Sequence, residues 1–141
     1  MMGESIREQI TQWLVEQLGT IGGVNVERRT FNFDDLSERQ CPMLAVEGGP
    51  DKHKEYLGGD RVSRTMSLQI IGYVKDNQNP DKALNDLLKL TEDKLEEIKV
   101  PGGHVNQIRW DFTDKEPSLY APYGKMVLEI EIDFCHKKYD Q

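Results

Sequence analysis

Polar and apolar residues alternate almost without a break from Arg61 to Val74, RVSRTMSLQIIGYV. Val62, Arg64, Met66, Leu68, Ile70, Gly72 and Val74 share one parity, and Ser63, Thr65, Ser67, Gln69, Ile71 and Tyr73 share the other. A period of two with one apolar side marks a strand buried on a single face. Lys125 to Cys135 repeats the pattern more cleanly. Met126, Leu128, Ile130, Ile132 and Phe134 stand against Val127, Glu129, Glu131, Asp133 and Cys135.

Two other segments carry a helical period. Ser5-Ile6-Arg7-Glu8 matches a capping box, with Ser5 accepting from the backbone of Glu8 and Glu8 reaching back. Ile6, Ile10, Trp13, Leu14 and Leu18 then form one stripe, which Gly19 and Gly22-Gly23 end, predicting a helix over 5–18. Asn79-Pro80-Asp81 supplies an N-cap, a proline at the first helical position and an acid in the first turn. The stripe Ala83, Leu84, Leu87, Leu88, Thr91, Leu95 and Ile98 predicts a helix over 80–99, closed by Pro101-Gly102-Gly103.

Shorter strands are expected at Val24–Arg29, Pro42–Glu47 and His104–Phe112, with a polar loop over 30–40. In the last of these strands Ile108, Trp110 and Phe112 share a face with Asn106, opposite Val105, Gln107, Arg109 and Asp111. Thr113–Tyr123 reads as a loop, and 137–141 as a polar tail. Between two strands lies a charged insert, Gly48 to Asp60, bracketed by glycine pairs. Its 13 residues exceed the two to five of a tight hairpin, so it reads as a long arm reaching a neighbour. The order of elements predicts an α+β fold in a single domain, 1–141. It is an antiparallel or mixed β-sheet with two helices packed on one face and a long hairpin arm at 48–60.

A chain of 141 residues supports one domain with a core of its own. Net charge is −7 and the isoelectric point is near 5.0, which argues against a basic nucleic-acid-binding stripe. Cys41 and Cys135 have no CxxC or Cys/His spacing and read as reduced thiols of a cytoplasmic protein. No apolar run has the length of a signal peptide or membrane span.

No catalytic motif stands out, and no cofactor is expected. His53, His104 and His136 lack partners at metal-ligand spacing, so no metal site is expected. The glycine pairs lack both the Lys-Ser/Thr and the strand–helix context of a phosphate loop. Glu129, Glu131 and Asp133 stand on one strand face roughly 6.5–7 Å apart, a solvated row, an acidic lumen or a face for a basic partner. Arg61 and Arg64, with Thr65, Ser67 and Gln69, read as a polar outer row, and Tyr73 and Trp110 as aromatic contact surface.

The succession CPMLAVEGG, RVSRTMSLQIIGYV, NPDKALNDLLKLTEDKLEEI and GKMVLEIEIDF behind an opening amphipathic helix resembles the tail terminator, or tail completion, proteins of long-tailed bacteriophages. The likeness covers roughly residues 4–136 and rests on the order, lengths and texture of elements. It implies a non-enzymatic virion protein, assembled in the host cytoplasm. Copies would form a homohexameric ring on the tail tube, stop its polymerisation and present the joining surface for a head-completion or neck protein. Genomic DNA would pass through the lumen without sequence-specific binding, and no membrane is involved. Within that expectation Lys52, His53, Lys54, Glu55, Tyr56, Arg61 and Arg64 are candidate subunit or tube contacts. Glu129, Glu131 and Asp133 are the candidate acidic lumen or partner face. The alternatives are another head–tail joining protein, a tail tube subunit, a regulator acting by acidic mimicry, and a small cytosolic enzyme or ligand-binding α+β module.

Overall fold

The computed structural model describes residues 5–28, 40–98, 105–116 and 123–137, save for the side chains at 50, 53, 106 and 112–116. The chain runs α1 (Ile6–Leu18), β1 (Asn25–Glu27), β2 (Met43–Gly58), β3 (Arg61–Lys75), α2 (Pro80–Glu97), β4 (Val105–Glu116) and β5 (Tyr123–Lys137). One five-stranded sheet has the order β1-β2-β3-β5-β4. β1 pairs parallel with β2 and every other pairing is antiparallel, so the sheet is mixed and the fold α+β. The loop expected over 30–40 and the Pro101-Gly102-Gly103 stop fall outside the described residues, Gln40 apart.

β3 and β5 form the spine, pairing without a register shift from Arg61↔Lys137 to Lys75↔Tyr123. Their even-numbered apolar residues, Met66, Leu68, Ile70, Met126, Leu128, Ile130, Ile132 and Phe134, are buried beneath both helices, as the alternation predicts. Ile6, Ile10, Leu14 and Leu18 bring α1 to this core, and Leu84, Leu87 and Leu95 bring α2. Thr91 is fully buried on the same stripe, its hydroxyl satisfied by the Leu87 carbonyl at 2.8 Å. α2 settles closely because the sheet beneath it has glycines. A Cβ on Gly124 would stand 2.8 Å from Leu84 Cδ1, and one on Gly72 would stand 3.0 Å from Leu87 Cδ2.

Both helix starts follow their sequence signals. Ser5 Oγ accepts from the Glu8 backbone at 3.1 Å and Asn79 Oδ1 from Lys82 at 3.0 Å. The capping box is not reciprocal, however: the Glu8 carboxylate takes the Arg28 guanidinium through both oxygens. The hydrogen bonds from Arg28 hold the Glu8 carboxyl below its usual range, and the pair ties α1 to the residue beyond β1.

Three expectations give way. The 48–60 insert is strand, not loop: β2 stays paired with β3 as far as Gly58, and only Gly59 and Asp60 lie between the strands. Gly58 and Gly59, both at positive φ, make that reversal. Length misled because the register shifts near Asp51, His53 and Gly58 break the alternation that marks a strand. Likewise Thr113–Glu116 continues β4 rather than opening a loop. A register shift between Val105 and Gln107 sets Val105 opposite buried Phe134, so Val105 is buried with the core rather than sharing the outer face with Gln107.

The sheet's second face is not bare. Met43, Ala45, Ile71 and Tyr73 form a smaller buried cluster there, against which Cys41, Tyr123 and Val127 pack. Tyr73 is 1% exposed, so it contributes no contact surface. Beyond Ala45 the outer edge of β2 has no partner strand among the described residues. Register shifts and Lys52 and Lys54 along it discourage edge-to-edge pairing.

Candidate functional site

The far end of the β2–β3 hairpin gathers most of the residues singled out from sequence, and it divides them into two layers. Arg64 lies at an inward position of β3 and is 7% exposed. A guanidinium cannot shed its charge, so burial demands partners on several sides. Its Nε donates to His136 Nε2 at 2.8 Å, and its Nη1 donates to Asp51 Oδ2 at 2.8 Å. Because Nε2 accepts, the His136 proton sits on Nδ1, which donates to the Lys137 carbonyl at 2.5 Å.

Asp51 also receives Arg7 of α1 in a bidentate grip, at 2.5 and 2.7 Å. Burial pushes the Asp51 carboxyl up, but hydrogen bonds from Arg7 and Arg64 outweigh it, and the net position is below the usual range. The network therefore bolts the first turn of α1 to the point where β2 leaves the helix layer. Arg64 is a structural member of it and not part of a contact surface, contrary to the sequence-based assignment. Neither Asp51 nor Arg7 stands out in the sequence as a partner of Arg64, and His136 stands out there only as a histidine without metal-ligand spacing. The signal was parity: Arg64 and His136 continue the inward series of β3 and β5, and a polar group there requires a buried partner.

Past Asp51 the hairpin projects beyond this bolt. Lys52, Lys54, Glu55, Tyr56 and Arg61 are exposed, and Tyr56 and Leu57 are 62% and 51% exposed. The Lys54 ammonium lies 5.0 Å from the centre of the Tyr56 ring. Lys52 turns to the opposite face of the sheet and pairs with Glu129 at 2.9 Å. The side chain of His53 is outside the described residues.

The acidic row is not an uncompensated stripe. Arg109 Nη1 meets Asp133 at 2.5 Å and Nη2 meets Glu131 at 3.1 Å, while Thr65 Oγ1 donates to Asp133 at 2.6 Å. The hydrogen bonds that Arg109 donates to Asp133 and Glu131 raise its pKa further. With Lys52 of β2 on Glu129, each acid of the row has a cation from another strand. Periodicity placed these three acids on one face and put Arg109 on the outer face of its own strand, but the β4–β5 register that sets Arg109 opposite Glu131 was not legible.

Two open clefts, each of about 260 Å³, lie one beside the acidic row and one at the far end of the sheet. One is lined by Arg109, Trp110, Asp111, Glu129 and Glu131. The other runs between α2 and the opposite end of the sheet from the hairpin tip, with Cys41, Val74, Leu87 and Leu90 among its lining residues and Asp76 and Asp86 at it. Trp110, expected as aromatic contact surface, is half-buried, packing against the core and donating to Glu92 at 3.4 Å. No cluster of metal-ligating side chains occurs among the described residues, and no helix there is long and apolar enough to cross a membrane.

No family model matches the chain, and no curated protein sequence matches it.

Proposed function

We propose that this protein is a structural subunit of a phage tail, forming a ring that caps the tail tube, ends its polymerisation and presents the surface on which a head-completion or neck protein docks. The observation that carries the reading is the long β2–β3 hairpin, anchored to α1 through Arg7–Asp51–Arg64 and projecting Tyr56 and Leu57 past the helix layer. An anchored, exposed arm on a small α+β domain is suited to reaching a neighbouring subunit. The α+β architecture with both helices on one face agrees with what the order of elements predicts.

Charge supports a lumen in a different place from the one expected. Glu129, Glu131 and Asp133 are compensated by Lys52 and Arg109, so their face suits a protein partner better than passing DNA. α2 is the more acidic surface: Asp81, Asp86, Glu92, Asp93, Glu96 and Glu97 outnumber Lys82, Lys89 and Lys94. Such a wall repels DNA and lets it pass. A ligand-binding module has less support, since both clefts fall below the roughly 300–1,000 Å³ usual for small-molecule sites.

The test is negative-stain electron microscopy of the purified protein, alone and mixed with tail tubes from the same source. Six-fold rings, or density capping tubes whose length becomes fixed, are expected. Monomers that leave tubes growing would overturn the reading.

A further inference from the structure

The side chains at the root of the hairpin form one chain of contacts across four elements: Arg7 of α1, Asp51 of β2, Arg64 of β3 and His136 of β5. Of the buried polar residues Thr11, Arg64, Ser67, Thr91 and His136, only the histidine is of a type that changes charge near neutral pH. It is 1% exposed, and both ring nitrogens are committed, Nε2 to the Arg64 guanidinium and Nδ1–H to the Lys137 carbonyl. A further proton has one place to go, Nε2, and an imidazolium has no acceptor. Protonation would replace the hydrogen bond with two N–H donors and two cations held together in a buried layer.

The surroundings do not offset that charge. Asp51 is the one carboxylate in the chain of contacts, and it already carries Arg7 and Arg64. Around the ring, β2 brings Lys54 opposite Arg64, Glu55 opposite Ser63 and Tyr56 opposite Val62. β4 brings Val105, opposite Phe134, and β5 itself brings Lys137, opposite Arg61. Among the described residues, cations therefore outnumber carboxylates here before the ring takes a proton. The backbone is irregular at the same point. The β2–β3 register shifts between Gly48 and Asp51 and again between Asp51 and His53, which isolates the Asp51↔Met66 rung.

We infer that His136 is a proton-operated latch for the hairpin. The neutral ring holds Arg64 in place for Asp51, and Asp51 holds the first turn of α1. The protonated ring repels Arg64, and the arm from Asp51 to Gly58 loosens from α1 and from β3. The sign follows from counting protons: the latched form refuses one that the open form accepts, so latching weakens as pH falls. Asp51 stays ionised through this change. Burial pushes its carboxyl up, but hydrogen bonds from Arg7 and Arg64 outweigh it and hold it below the usual range. The latch goes beyond the tail reading and does not rest on it.

Amide exchange of the full chain, corrected for the intrinsic effect of pH, reads the latch between about pH 8 and about pH 5. On acidification, protection over 51–58 should fall about tenfold or more, the scale set by stranding a buried donor. Protection over 68–75, in the middle of the sheet, should hold. Nitrogen-15 spectra should show the His136 ring protonated at Nδ1 alone at the upper end and losing that form as the arm opens. His136→Gln offers a carbonyl acceptor and an N–H donor that do not titrate, and its arm should stay protected throughout. Should that chain fail to fold, Arg64→Gln removes the second cation, and acid should then add nothing to whatever exchange it starts with. Unchanged protection in the parent overturns the inference. An equal acid response in either variant does so too, as does a ring that keeps its neutral form while the arm opens.

Discussion

Arg64 donates its Nε–H to Nε2 of His136 at 2.8 Å, joining inward positions of the two spine strands on a diagonal, since the register sets Arg64 opposite Phe134 and His136 opposite Val62. Both side chains are buried, and each has a further partner: Asp51 for the guanidinium, the Lys137 carbonyl for the imidazole. A histidine fixed in one tautomer by two hydrogen bonds acts here as a spacer that lets an arginine sit in an apolar layer. The arrangement costs desolvation, and its return is a defined geometry at the root of the hairpin.

Breaking one partner should therefore cost more than a surface change. His136→Phe leaves the Arg64 Nε–H without an acceptor and is expected to lower stability by about 1–3 kcal/mol. Arg64→Met leaves His136 Nε2 unsatisfied and Asp51 with Arg7 alone, at a cost of about 3–5 kcal/mol. The double variant should lose clearly less than the sum, because the second change removes a group already stranded. Urea denaturation of the four proteins measures the coupling, and strict additivity would show that the pair does not act as a unit.

Asp51 gives the network a pH dependence of known sign. Its folded pKa lies below the unfolded value, so its contribution is present above about pH 4 and fades as pH falls through the folded pKa. Asp51→Asn should be less stable than the parent at neutral pH, with the gap closing below about pH 4. Denaturation midpoints compared between neutral and acidic buffer test this. A gap of constant size would mean that Asp51 matters for shape and not for charge.

Gly72 and Gly124 should resist enlargement. A Cβ on Gly72 would lie 2.7 and 2.8 Å from Met126 Cε and Cγ, and one on Gly124 would lie 2.8 and 3.0 Å from Leu84 and 3.0 Å from Val74. Overpacking of this kind costs about 1–3 kcal/mol, offset in part by the smaller entropy of an unfolded chain with alanine. Methionine yields more readily than leucine and valine, so Gly124→Ala should be the costlier change. Thermal melts would reverse that order if α2 lifts from the sheet without resistance.

Much of this fold was legible because β3, β5 and both helices carry period and caps that agree with their packing. The α2 boundaries, the Ser5 and Asn79 caps and the inward series Met126 to Phe134 needed no tertiary information. Whatever depended on register was not legible. The bulges in β2 hid eleven residues of strand between Gly48 and Gly58, and one in β4 moved Val105 to the other face. The functional residues divide the same way. Exposure of Lys54, Tyr56 and Arg61 follows from a charged, glycine-rich segment. The partners of Arg64 and of the Glu129–Asp133 row come from strands distant in sequence, so only the three-dimensional pairing distinguishes a contact surface from a satisfied one.

Arg109 offers the clearest test of that distinction. It bridges Glu131 and Asp133, next-but-one neighbours on a strand, at a site where its side chain is 41% exposed. Arg109→Ala leaves two carboxylates facing one another across roughly 6.5–7 Å, with Thr65 still donating to Asp133. Exposure limits the direct loss to under about 1 kcal/mol. The sign of its salt dependence is the sharper observable. Repulsion between the stranded acids is screened as the Debye length falls from about 30 Å at 0.01 M salt to about 3 Å at 1 M. The stability deficit of Arg109→Ala should accordingly be largest at low ionic strength and shrink as salt is added. Glu131→Gln in the same background should recover part of it at low salt. A deficit indifferent to salt would place the role of Arg109 in the packing of its aliphatic stem against β5, and would leave the acidic row available to a basic partner after all.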